Sequence, residues 1–158
     1  MRIKEKWKQR LKPAPKYVNK IVAPSLDTVR AIGGFGWATP IAQQAVAIVR
    51  RAVETGKIVG AICNGASFMA KCGLLNDVRH TGNGLEQLKL WGGENYTNPE
   101  GYIHEHAVSD KNIVTANGSA ALEFTKELLS LLGNDTPERI EMYYQFYKQG
   151  FCALFPRN

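Results

Sequence analysis

Apolar positions along this chain alternate between strand-like runs and helical spacing, and glycines or prolines sit at most of the changes. Val29 to Ile32 is a short apolar run that predicts a strand, followed by the turn-rich Gly33-Gly34-Phe35-Gly36. Thr39-Pro40 predicts a helix start, with Ile41, Ala45, Ile48, Val49, Ala52 and Val53 at helical spacing and Gly56 as the stop. A second strand, Ile58 to Ile62, ends at Cys63, where a helix through Phe68 and Met69 begins at once and runs to Gly73. Val78 to Thr81 predicts another strand. Residues 82–101 form an excursion with a short amphipathic piece, Leu85 to Leu90. Tyr102 to Val108 and Ile113 to Ala116 predict two strands joined by a turn over residues 109–112. Ser119 is the expected cap of a helix from Ala120 to Leu132, and Thr136-Pro137 opens a last helix whose Tyr143, Tyr144, Phe146 and Tyr147 are read as packing.

Strands alternating with helices imply an α/β fold, a mostly parallel sheet with helices on both faces. In such sheets ligands gather at the C-terminal ends of the strands. The Gly33-Gly34 loop and Cys63 both fall there. The chain has 158 residues, 44% of them hydrophobic, which suits one domain over residues 21–158. Residues 1–20 read as a basic arm and linker, with eight Lys or Arg against Glu5 alone. No aromatic interleaving accompanies those charges, so nucleic acid is not an expected partner. No apolar run is long enough for a membrane span or a signal peptide, so a cytoplasmic location is expected. Three cysteines without CxxC spacing point to neither a disulfide framework nor a zinc site.

Cys63 is the main chemical candidate. It stands at a sharp strand-to-helix corner with small residues, Ala61 and Gly65, two positions to either side. That is the steric pattern of a nucleophile elbow. The start of the following helix would favour a thiolate there. His104 and His106, two apart on a predicted strand, share one face while Glu105 points to the other, and no metal site is expected from them.

Ala31-Ile32-Gly33-Gly34, the run Gly60 to Ala66, Gly73-Leu74-Leu75, and the block Asp110 to Gly118 followed by Glu123-Phe124 together resemble the PfpI-type branch of the class I glutamine amidotransferase-like superfamily. That branch includes intracellular proteases and the parkinsonism-associated deglycase. The resemblance implies a flavodoxin-like sandwich with Cys63 as nucleophile and backbone N–H groups of Gly34 and Asn64 as an oxyanion pocket. It further implies a homodimer; His80 is the candidate base, Gly33, Phe35, Asn83 and Asn117 are the candidate substrate contacts, no cofactor is expected, and the expected substrate is a small molecule or a peptide.

Two departures accompany it. The family's usual histidine slot, counted from Gly73, falls nearest Asn83. Residues 1–26 offer no copy of the first strand, helix and second strand of relatives, nor the acid of their first loop, so the sheet is expected to be incomplete at its N-terminus; Val18 to Ala23 is the only local substitute. Glutamine amidotransfer proper is not expected, because the His-x-Glu pair of true glutaminases is absent after residue 117. The functional expectation is a cysteine-dependent hydrolase. The alternative is a non-catalytic thiol redox sensor or stress-response binding protein, or a degenerate family member.

Overall fold

The computed structural model describes residues 28–154, and the alternation of apolar side chains along four strands explains how its layers form. The strands are β1 (Thr28–Ala31), β2 (Ile58–Ile62), β3 (Ala107–Asp110) and β4 (Ile113–Ala116), in the sheet order β1-β2-β4-β3. The first, second and fourth are parallel, and β3 returns antiparallel to β4. Around them lie α1 (Gln43–Glu54), α2 (Asn64–Lys71), α3 (Leu85–Gly92), α4 (Ala121–Leu132), α5 (Pro137–Gln149) and α6 (Phe151–Leu154).

Successive side chains of a strand point to opposite faces, so each buried strand feeds two cores. Val59 and Ala61 of β2, with Ala31 and Ile113, pack against Val49 and Ala52 of α1 and against Phe68 and Met69 of α2. Ile62 of β2, with Val114 and Ala116 of β4, packs against Phe124 and Leu128 of α4. Thr115 of β4 is buried, and its hydroxyl oxygen accepts from the Thr81 N–H at 2.8 Å. At Gly65 a Cβ would lie 2.1 Å from the Ala31 carbonyl oxygen, so the start of α2 rests directly on the backbone of β1. On the other side, Lys148 and the Tyr144 hydroxyl of α5 both donate to Glu123 of α4, at 2.6 Å and 2.9 Å.

The register sets where chemistry can happen. Ala31 pairs with Ala61 and Ile62 with Ala116, which brings the loops after β1, β2 and β4 to one end of the sheet. None of the described helices is long and apolar enough to cross a membrane.

Several expected elements differ. Thr39-Pro40 does not begin the α-helix: two short 3-10 turns, Phe35–Ala38 and Pro40–Ala42, come first, and the Thr39 hydroxyl donates back to the Gly36 carbonyl. The expected strand at 78–81 is a single bridge between His80 and Tyr102, because Thr81 turns its N–H to a side chain of β4 instead of to a strand partner. The expected strand at 102–108 begins only at Ala107. Residues 103–106 are held as a loop, since the Glu105 carbonyl accepts from the Thr81 hydroxyl and the His106 carbonyl from the Asn117 N–H. Ser109 and Asp110 belong to β3, leaving Lys111 and Asn112 as the turn, with Lys111 at φ 50°. Ser119 does not cap α4; both its N–H and its hydroxyl bind the Asn117 side chain. Thr136 does cap α5, accepting from the Arg139 N–H. The basic arm, the boundary at residue 21 and the Val18 to Ala23 substitute lie outside the described residues.

Candidate active site

β2 ends at Ile62 and α2 begins at Asn64, so Cys63 alone makes the corner. Its backbone is at φ 60° and ψ −129°, a conformation that costs a non-glycine residue about 1–3 kcal/mol and persists only where the surroundings impose it. They do so from both sides. The Cys63 N–H donates to the Ala116 carbonyl of β4 at 3.0 Å, and the Ala66 N–H of α2 donates to the Cys63 carbonyl at 3.0 Å.

The sulfur has one described hydrogen-bond partner, Asn83, whose Nδ2 lies 3.4 Å from Sγ. The Oδ1 of Asn83 accepts from the Gly118 N–H at 2.9 Å, which turns the amide's N–H groups toward the sulfur. A Cβ on Gly118 would sit 3.0 Å from Sγ, and one on Gly33 would sit 2.7 Å from the Cys63 Cβ. Both loops therefore close on the cysteine only because they present bare backbone. Asn64 is buried and acts as a brace: its Nδ2 donates to the Gly34 carbonyl at 3.3 Å, while its Oδ1 accepts from Gln87 of α3 at 2.8 Å. As first residue of α2, Asn64 has a backbone N–H with no intrahelical acceptor.

From Asn83 and Gly118 a cleft of about 530 Å³ opens, lined also by Gly82, Tyr102, His104, Glu105, His106, Asn117 and Ser119. Its lining residues include two histidines, a glutamate, a tyrosine and two asparagines. The expectation that Glu105 faces away from the two histidines rested on a strand there; residues 104–106 are not a strand, and all three border the same cleft.

His80 is not available as a base. It is fully buried, its Nδ1 donating to the Val78 carbonyl at 2.8 Å and its Nε2 accepting from the Tyr96 hydroxyl at 2.6 Å. Burial holds its pKa below the ordinary imidazole value, and the bond to Val78 opposes this only in part. Burial also pushes Tyr96 up to about 12. The pair is an internal pin beneath the cleft. Phe35 stands in solvent, 88% exposed, on a 3-10 turn. The structure thus brings Gly33, Asn64, Asn83 and Asn117 together around Cys63 or its cleft, ties Gly34 to them through its carbonyl bond with Asn64, and leaves His80 and Phe35 apart. Sequence reasoning missed Gly118, which follows from the parallel register of β2 and β4, and Gln87, for which no local signal exists.

The model of the DJ-1/PfpI family matches residues 4–131. The chain belongs to the DJ-1/PfpI family. Within it, the uncharacterized protease YdeA of Bacillus subtilis (strain 168) is 34% identical over 135 residues, spanning 85% of this chain and 67% of that one. The uncharacterized protease YoaZ of the same organism is 35% identical over 124 residues, spanning 78% and 59%. A thiJ/pfpI family protein from Bacillus anthracis has a solved structure that superposes with a TM-score of 0.75 at 34% identity, over 81% of this chain and 60% of that one. The DJ-1 superfamily protein Atu0886 from Agrobacterium tumefaciens gives 0.67 at 34% identity, over 81% and 68%. The α/β arrangement is thus the flavodoxin-like fold of DJ-1/PfpI proteins, and the class I glutamine amidotransferase-like superfamily fits it. The chain spans roughly three fifths to two thirds of the length of these relatives. The family match starts at residue 4, ahead of Ala31, the first residue of the motifs that carry the resemblance.

Proposed function

We propose that this DJ-1/PfpI protein is a cysteine-dependent hydrolase of the protease, amidase or deglycase type, with Cys63 as nucleophile. The observation that supports it is the strained backbone of Cys63 at the corner of β2 and α2, with Sγ against Asn83, which lines a cleft of about 530 Å³. A strained elbow lifts a nucleophile clear of its strand and helix. In this reading the sulfur attacks a substrate carbonyl, the N–H groups of Gly34 and Asn64 stabilise the resulting oxyanion, and water later releases the acyl group from sulfur. Asn83 donates to the thiolate and steadies it. Gly33 and Asn117 border the bound substrate, a small molecule or a peptide, and the protein works as a homodimer. Incubation with p-nitrophenyl acetate should leave an acetyl group on Cys63 by intact mass and peptide mapping, and release nitrophenolate; a Cys63→Ser variant that releases it equally fast would overturn the assignment.

Asn83 favours a second reading, a thiol sensor. A carboxamide can donate to sulfur but cannot take up its proton, so among the described residues the sulfur has a stabilising neighbour and no hydrogen-bonded base. In that case hydrogen peroxide converts the Cys63 thiolate to a sulfenate, with loss of water, and a thiol reverses it. Reversible oxidation without acyl turnover would select this reading.

A further inference from the structure

His104 and His106 line the same cleft as Asn83 and Gly118, on the loop that enters β3, yet their Nδ1 atoms meet partners of different kinds. At His106, Nδ1 lies 3.3 Å from Nδ2 of Asn117. That amide cannot turn over, because its Oδ1 accepts from the Ser119 N–H at 3.0 Å and from the Ser119 hydroxyl at 2.7 Å. A carboxamide whose oxygen faces two donors presents only N–H on its other side. His106 Nδ1 is therefore an acceptor. The neutral ring carries its proton on Nε2 and has no spare lone pair for another.

At His104 the partner is a hydroxyl, that of Tyr102, 3.4 Å from Nδ1. A phenol O–H rotates and accepts as readily as it donates. With the hydroxyl accepting from Nδ1–H, the Nε2 of His104 keeps a lone pair that can take a proton. His80 has both nitrogens engaged, and Asn83 can only donate to the sulfur.

We propose that His104 is a proton-exchanging group of the cleft and that His106 is a fixed Nε2–H donor for an acceptor oxygen of the substrate. This rests on Cys63 being the nucleophile. The S–H bond breaks as its proton passes through water in the cleft to His104 Nε2, where an N–H bond forms. The sulfur electron pair makes the S–C bond to the substrate carbonyl. The leaving group departs with its bonding pair and takes the proton from Nε2. Water then splits the thioester, giving the acid and restoring the thiol.

The tautomers can be read directly by ¹⁵N NMR of the imidazoles in the Cys63→Ser variant at pH 9, well above the ordinary histidine value of about 6.5. His106 should be the Nε2–H form, and adding Asn117→Asp, which replaces the donor at Nδ1 with an acceptor, should convert it to Nδ1–H while His104 stays Nδ1–H. A His106 already in the Nδ1–H form, or a His104 fixed as Nε2–H, overturns the proposal. With Cys63 intact and p-nitrophenyl acetate as probe, His104→Gln should slow acylation about 100-fold, whereas His106→Gln should act mainly on KM. Acylation unchanged in His104→Gln but abolished in Cys63→Ser overturns the role of His104 alone. Acylation that survives Cys63→Ser overturns the nucleophile instead, and the NMR result still decides between the two imidazoles.

Discussion

Cys63 holds φ at 60°, a value that suits glycine and strains any residue with a Cβ. Removing that Cβ should release the strain, so Cys63→Gly should unfold at higher urea than Cys63→Ala, by about 1 kcal/mol; equal midpoints would show that the elbow is relaxed. The neighbouring thiol at Cys72 behaves differently. Burial pushes it up to about 11, with the charges of Arg50 and Lys71 pulling back in part. At pH 8 only about one Cys72 in a thousand is then a thiolate. Iodoacetamide should therefore label Cys63 well before Cys72, as followed by peptide mass, and equal rates would contradict the burial of Cys72. The elbow was legible in the sequence because its cause is local, a cysteine between a strand and a helix with Ala61 and Gly65 nearby. The Asn83 slot was legible too, by counting from Gly73. His80 was misread because burial and the distant Tyr96 hydroxyl leave no trace in neighbouring residues.

At the scale of elements, α2 is set by its contact with β1. Gly65→Ala would put a Cβ 2.1 Å from the Ala31 carbonyl, and backbone cannot give way as a flexible side chain can. The helix must shift, at a cost of about 3 kcal/mol in urea unfolding, and the labelling preference for Cys63 should fall with it; an unchanged midpoint would mean that α2 is not seated as described. α4 and α5 are joined through Glu123, whose carboxyl is held down to about 2, first by the Lys148 ammonium hydrogen bond, with the backbone and the Tyr144 hydroxyl adding to it. Its folded pKa is below the unfolded value of about 4.3. The clamp thus stabilises the fold above about pH 4.3 and is lost as pH falls toward 2. Glu123→Gln should flatten stability over that window in urea titrations, and an unchanged acid slope would place the linkage elsewhere. Most helices were legible from their 3.6-residue period, since period survives any packing. The loop at 103–106 was not, because its strand-like sequence is overruled by bonds from Thr81 and Asn117.

For the molecule as a whole, acid should act in two stages. His80 is the first: it is buried and neutral, its folded pKa lies below the unfolded value of about 6.5, and the unfolded chain binds the extra proton. Its contribution is complete above about pH 6.5 and declines as pH falls through the folded value. Glu123 follows below about pH 4.3. Urea midpoints between pH 8 and pH 2 should show both steps, and His80→Gln should remove the upper one; a variant that keeps it would assign that step to another group. Near-neighbour chemistry and periodicity were enough, in the sequence alone, to determine the α/β layering, the Cys63 corner and the family resemblance, because each depends on residues a few positions apart. Only the tertiary structure decided that Asn83 and Gly118 meet the sulfur, that His80 is withdrawn into the core, and that His104, Glu105 and His106 border one cleft. Those outcomes depend on the parallel register of β2 with β4 and on hydrogen bonds between residues up to 35 positions apart, which no local pattern encodes.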